Sequence, residues 1–487
     1  MRRLLTIVAA MTVAFLTPPG RADESKMLVD AKEKASAIAV LRYTAQDELG
    51  SRGVEGPAIC ISSESSALFI TLAIDRRQPP ESVKEVELHP VLAPDKTIKA
   101  DLLGIDPETG IGFVRAKEPY TWGLIRFASK ANLSAGQPVA SVGLMGPDTG
   151  YQPCVGVGYI SAVLRVPQQL AYVTGGRLTG LGSPVFNAEG LAVGLVSSQR
   201  YLAYETYFSN IRGSIGLRGG EQGGFNGFDS VLENMSGTIG LRGQEETAFF
   251  LPVDEFAHVL VNIPASPDQT RRLPWIGVLV FSPVPKELAD IQKLDKPAIM
   301  ADQVMPDQPA AKAGLQDRDV IVGVNGQDIE QMPTPELTAA SFGTKLTRMP
   351  VGQPIKLNVR RLGETKTIEV TPVPMPSMPH EAKRYLSQNL GFLVREKVVL
   401  DQFLDRSPTA GVPGLLTVFV RADLPAGKGG LLQGDLIISA NGQPVTNVAA
   451  FKQIMESAIA QDAKKPISLV VRRGDQTQTL TIQPAAK

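Results

Sequence analysis

Apolar and polar positions along the chain fall mostly into short strand-like runs broken by glycine and proline. Residues 27–49 begin charged and helical, then turn β-leaning through AIAVLRYT at 37–44. Further strand-like runs are GPAICIS at 56–62, VELHPVL at 86–92, VGVGYISA at 155–162 and LAVGLV at 191–196. The one long apolar run, Leu4 to Leu16, follows Arg2 and Arg3 and precedes Pro18, Pro19, Gly20 and Ala22. That order predicts a secretory signal peptide over residues 1–22, too short to span a bilayer as a permanent helix. No later apolar stretch is long enough for a membrane helix, so the expected product is exported, without a stable membrane span.

Composition adds limits. A length of 487 residues allows about three domains, and 49 basic against 49 acidic side chains leave no global field for nucleic acid or an acidic membrane. Of two cysteines, Cys60 and Cys154, each sits in a strand-like run; export would permit a disulfide, but buried free thiols are the commoner fate. Neither has a Cys or His partner at zinc-ligand spacing, and no metal or cofactor is expected.

Internal repeats divide the rest. GSIGLRGGE at 213–221 returns as GTIGLRGQE at 237–245, with seven of nine positions identical, inside a glycine-rich insertion at 200–246. Glycine makes ordering costly, so this stretch is expected to be solvated and mobile. AGLQDRDVIVGVNGQ at 313–327 returns as GGLLQGDLIISANGQ at 429–443 with seven of fifteen positions shared, and PIKLNVRR at 354–361 returns as PISLVVRR at 466–473. Repeats of this length and spacing indicate duplicated domains. TPVPMPSMP at 371–379 is expected to be a semi-rigid spacer between them, unable to form a regular ladder.

Six segments, which follow the family order along the chain, resemble the HtrA (Deg) family of trypsin-fold proteases. TGLGSPVFN at 179–187 resembles the family's GNSGGPLFN, and GIDPETGIGFVR at 104–115 resembles its G-x-DPETDLAVLK. LSAGQPVASVG at 133–143, VGVGYISA at 155–162 and the stretch from Ala248 to Ile263 keep the family order as well. GPAICIS at 56–62 resembles the strand before the family's TNNHVV. Laid on without gaps, the resemblance puts the general base at Leu72, the orienting aspartate at Gly110 and the nucleophile at Leu181. Each lacks the atoms the chemistry needs, so no catalytic residue is assigned. Ser183 falls where a glycine is expected, and His89, His258 and His380 read as structural or surface residues.

Both C-terminal copies resemble PDZ domains of the bacterial protease type. Asn-Gly in each N-G-Q segment supplies the positive φ of a tight turn. The carboxylate-capturing loop of that family is matched by Trp275, Ile276, Gly277 and Val278, and by Asn389, Leu390, Gly391 and Phe392. Its backbone N–H groups would hold a peptide C-terminus while the peptide adds a strand beside them. The second loop is expected to be the better binder, because Pro274 beside the first supplies no N–H.

The expected fold is therefore mainly β: a trypsin-like double β-barrel over 23–265, then two α+β PDZ domains over 266–375 and 376–487. The expected function is that of an exported HtrA-like pseudoprotease, periplasmic or extracellular, which binds polypeptides or protein C-termini as scaffold, sensor or chaperone-like factor. The resemblance also implies self-association, commonly as a trimer. An active serine endopeptidase of the same family and a structural envelope protein are the alternatives.

Overall fold

The computed structural model describes residues 33–47, 50–63, 66–76, 78–165, 167–197, 248–401, 411–462 and 465–484. The expected signal peptide and the glycine-rich insertion at 200–246 lie outside the described residues. Among the described residues no helix is long and apolar enough to cross a membrane.

Two closed six-stranded barrels come first. β1 (Ile38–Asp47), β2 (Gly50–Ser62), β3 (Leu68–Thr71), β4 (Val83–Pro90), β5 (Ile98–Ile105) and β6 (Gly112–Ala116) close in the order β1-β2-β3-β6-β5-β4. The second barrel holds β7 (Pro138–Leu144), β8 (Pro153–Arg165), β9 (Gln169–Thr174), β10 (Pro184–Phe186), β11 (Ala192–Ser197) and β12 (Phe249–Pro252). Its order is β10-β11-β12-β9-β8-β7, the same connectivity repeated. Closure removes free strand edges, and one continuous apolar cluster with Phe69, Phe113, Phe186 and Phe250 at its centre runs through both barrels. Both thiols are free, Cys60 buried on β2 and Cys154 half-buried on β8. Burial pushes the Cys60 thiol up to about 12, against a hydrogen bond to the Ser62 carbonyl.

Two smaller sheets lie beyond the barrels in the chain. The first runs β14 (Val278–Pro283), β15 (Ile299–Val304), β16 (Val320–Val324), β18 (Ile355–Arg361), β19 (Glu364–Val370), with β17 (Gln327–Asp328) paired to β16 and helix α1 (Pro335–Thr347) against β14. The second runs β21 (Arg384–Ser387), β22 (Phe392–Glu396), β23 (Leu415–Val420), β24 (Leu436–Ala440), β26 (Ile467–Arg473), β27 (Gln476–Ile482), with β25 (Gln443–Pro444) paired to β24 and helix α2 (Val448–Gln461). Each helix starts on a side-chain cap: Thr334 accepts from Leu337 N–H, and Asn447 accepts from Ala450 N–H.

The sequence echoes have a structural cause. Asp319 and Asp435, both buried, each receive a bidentate Arg, Arg361 at 2.6 and 2.6 Å and Arg473 at 2.7 and 2.7 Å. The same guanidinium groups donate to Gly314 O and Gly430 O, tying the loop before each strand to the end of the sheet. Asn325 and Gly326 have φ of 51° and 77°, and Asn441 and Gly442 48° and 77°, the paired positive values of a tight hairpin.

The spacer expectation for 371–379 needs correction. β13 (Pro274–Trp275) pairs with β20 (Val373–Pro374), and Met375 N–H donates to Leu273 O at 2.8 Å. A two-residue edge tolerates proline because its missing N–H can face outward. Met375 and Met378 are buried with Leu273, Trp275, Met305 and Leu400, so the proline-rich segment carries a small core joining both sheets.

Candidate active-site cleft and peptide-binding loops

Three segments converge between the barrels. Thr71, the last residue of β3, pairs with Gly112, the first of β6, which sets Leu72 beside the β5–β6 turn. A Cβ built on Gly182 would stand 3.4 Å from the Leu72 Cβ, so the turn before β10 reaches across to the first barrel. This is where the sequence placed Leu72, Gly110 and Leu181. Leu72, Ala73 and Ile74 come directly after β3, and none carries a group that accepts a proton. Leu72 and Ile74 are buried, and Leu181 is 39% exposed.

The turn at Gly110 is held from within. Asp106 Oδ2 accepts from Glu108 N–H, Thr109 N–H and Thr109 Oγ1 at 3.2, 2.8 and 2.9 Å, and Gly110 N–H donates to Asp106 O at 2.8 Å. Gly110 has φ 73°, a left-handed conformation that a side chain there would adopt at a cost.

The turn at 179–183 is spent inward. Thr179 N–H donates to the Ser141 hydroxyl at 2.8 Å in the interior, so this amide is not available to polarise a carbonyl in the cleft. Ser183 is 1% exposed; its Oγ lies against Gly143 of β7 and has no hydrogen-bond partner. A hydroxyl without a base stays an ordinary alcohol. The histidines engage elsewhere: His89 Nδ1 lies 3.4 Å from Thr97 Oγ1, and burial and Arg42 lower its pKa. His258, on the helix Ala257–Leu260, meets Glu108 Oε2 at 3.1 Å. His380 lies between β20 and β21.

A charged cluster that sequence reasoning missed backs the Gly110 turn. Glu108, buried, takes Arg271 Nη2 at 2.7 Å and Arg348 Nε at 2.6 Å besides His258; Arg271 Nε also donates to Asp106 Oδ1 at 2.6 Å, and Arg348 Nη2 to Glu255 Oε2 at 2.7 Å. It joins both barrels, the segment after them and the end of α1. The local sequence signal was Asp106 and Glu108 themselves, two acids in a turn too buried to stay unpaired.

The two loops matched to PDZ share a frame. Ile276 O accepts from Ala310 N–H and Gly277 O from Met305 N–H; Leu390 O accepts from Ala426 N–H and Gly391 O from Arg421 N–H. A Cβ on Gly277 would stand 2.1 Å from the Gln308 Cβ, and one on Gly391 2.5 Å from the Leu424 Cβ. Substitution at either glycine therefore disturbs the loop itself as well as any bound peptide. Trp275 is buried with its Nε1 on Gln308, Val278 starts β14, Asn389 sits in the turn after β21, and Phe392 starts β22. The two differ at the adjoining strand. Among the described residues β14 pairs with β15 alone, while β22 pairs with β23 on one edge and β21 on the other. The expectation that the second loop is the better binder thus meets an edge already filled.

Paired six-stranded barrels meeting at such a cleft, with PDZ-like sheets behind them, define a class of trypsin-like peptidase fold joined to PDZ domains. A trypsin-like peptidase domain model matches residues 60–195, and a PDZ domain model matches residues 300–340. A relative from Pseudomonas fluorescens named probable periplasmic serine endoprotease DegP-like is 26% identical over 408 residues, 81% of this chain and 73% of its own. The periplasmic serine endoprotease DegP of Salmonella typhimurium is 31% identical over 202 residues, 40% of this chain and 37% of its own. Two solved structures of the HtrA-type protease AlgW, a variant with a decapeptide and the protein with a tripeptide, match the fold with TM-scores of 0.51 and 0.50. They are 17% and 19% identical and cover 73% and 72% of this chain and 99% and 97% of theirs. The chain is similar to HtrA/DegP-type proteins in its trypsin-like peptidase domain and in its PDZ domain.

Proposed function

We propose that this chain is an exported, periplasmic HtrA-type protein that binds polypeptides without cleaving them, the first PDZ loop, Trp275 to Val278, taking exposed C-termini. The observation that carries this reading is the Leu181 turn. The side chain at the nucleophile position is a leucine, the neighbouring Thr179 N–H is engaged by Ser141, and the two flanking hydroxyls, Thr179 and Ser183, are both buried. Without nucleophile or base there is no route to an acyl-enzyme. Peptide capture is supported by β14, whose other edge takes no strand among the described residues, beside a loop of PDZ form. The periplasmic location draws on the named location of the relatives and on the leader-like residues 1–22. Fluorophosphonate labelling of the mature protein beside digestion of a denatured substrate tests the reading. Neither label nor fragments are expected. The relatives' naming as serine endoproteases favours an active enzyme instead, and stoichiometric, heat-sensitive labelling of Ser183 would establish it.

A further inference from the structure

We infer that residues Arg384–Ser387 are a built-in ligand of the second PDZ domain, seated where a captured peptide would lie, so that this domain takes no free C-terminus until β21 is displaced. The inference rests on the reading of these loops as peptide-binding.

In the first domain α1 packs directly on β14, with the Phe281 and Phe342 rings 5.0 Å apart across the gap. In the second, β21 lies antiparallel to β22 with Ser387 opposite Phe392 and Arg384 opposite Arg395, and α2 packs on β21. The Tyr385 ring sits 5.4 Å from Phe451 of α2 and 6.4 Å from Phe392. The order across the domain is therefore helix, β21, β22, β23. That is the position of a strand added by peptide augmentation. The direction also agrees. β21 ends at the loop, as a captured C-terminus would, and the buried Ser387 offers its carbonyl to Gly391 N–H at 2.7 Å. A terminal carboxylate would use that same N–H. Tyr385, two residues earlier, fills the space against the helix that the side chain of a bound peptide would take.

The tether makes the occupancy strong. Asn389 lies within a turn of four residues, 388–391, so β21 competes at an effective concentration on the order of mM; a free peptide with a micromolar intrinsic Kd is suppressed about 10³-fold.

The probe is a synthetic octapeptide of residues 380–387 with a free C-terminal carboxylate, added to the full chain and followed by segment-resolved amide exchange. In the wild type the Gly391 amide should be protected before addition, and the probe should leave exchange over 388–396 unchanged. Tyr385→Ala combined with Leu386→Pro should release β21. The probe should then protect 391–395, and its amidated form should do so at least tenfold more weakly. Probe-induced protection of 391–395 in the wild type, or rapid exchange at Gly391 without probe, would overturn the inference, and both are read on the unaltered protein. A folded double variant that gives the probe no purchase at 391–395 would overturn it too. Absence of any protection at 276–280 is a separate result, which sinks peptide capture at the first loop while leaving β21 in place.

Discussion

Arg348 and Glu108 are 240 residues apart in sequence and 2.6 Å apart in space, Nε to Oε1. The contact ties the end of α1 in the first PDZ domain to the turn at Gly110 beside the cleft. Arg271 and His258 hold the same carboxylate, so Glu108 is one point, with Arg165–Glu330 another, at which the barrels and the PDZ domain are tied together.

This lock should be acid-sensitive. Burial acts to raise the Glu108 carboxyl, but His258, Arg348 and Arg271 outweigh it and bring it from 4.5 to about 2. A carboxyl held lower in the folded chain than in the unfolded one contributes stability that is complete above the unfolded value and lost as pH falls through the folded value. The window is therefore about 4.5 down to about 2, and the shift corresponds to about 3 kcal/mol. Glu108→Gln should flatten that part of the stability curve, as read from urea midpoints across the window. An unchanged slope would remove Glu108 from the lock.

Restoring the three polar residues should not restore a protease. Leu72→His, Gly110→Asp and Leu181→Ser together leave Thr179 N–H bonded to Ser141 and put a side chain at φ 73°, which costs about 1 kcal/mol. The expected triple variant is slightly less stable and unlabelled by fluorophosphonate. Hydrolysis of a denatured substrate by it would mean that the inward turn is not fixed.

The duplicated aspartate–arginine pairs should carry like weight in each PDZ domain. Asp319→Ala and Asp435→Ala each strand a guanidinium and leave a loop amide, Gln316 N–H or Leu432 N–H, without its acceptor, at a cost of about 3 kcal/mol. Arg361→Lys and Arg473→Lys should recover only part of that, since an ammonium cannot make the two-pronged bond. Scanning calorimetry of the four variants checks this. Full recovery by lysine would show that charge alone matters.

Much of this architecture is legible in the residues, because the segments that identify it are turns. Asn-Gly demands positive φ wherever it stands, and Asp106 with Thr109 closes the same tight turn in any register. Strand pairing joins Thr71 to Gly112 and so sets Leu72 near the turn that holds Gly110. Glu108 and Arg348 were not legible, since nothing local joins residues 240 apart. Nor was the filled edge of β22, because Arg384–Ser387 has no distinctive composition; only the sheet order separates it from a linker. Composition also misled at 371–379, where prolines suggested a semi-rigid spacer outside any ladder. The methionines between them, Met375 and Met378, were the signal that something would bury them.

Those methionines lead to the last prediction, that the two PDZ domains unfold as one unit. Trp275, Leu273 and Met305 come from the first domain, Met375 and Met378 from the connecting segment, and Val398 and Leu400 from the second, and all are buried in one cluster. Deleting the Met378 side chain leaves a cavity that faces both domains, at a cost of about 2–3 kcal/mol. Because the lost contacts cross between the domains, the penalty should appear chiefly as lost cooperativity. Met378→Ala should split a single calorimetric transition of the C-terminal half into two and speed proteolysis between Pro372 and Pro379. Met378→Leu keeps the volume and should retain the single transition. If the wild type already shows two independent PDZ transitions, or if the alanine variant melts as one, the cluster does not couple the domains and the segment is a spacer after all.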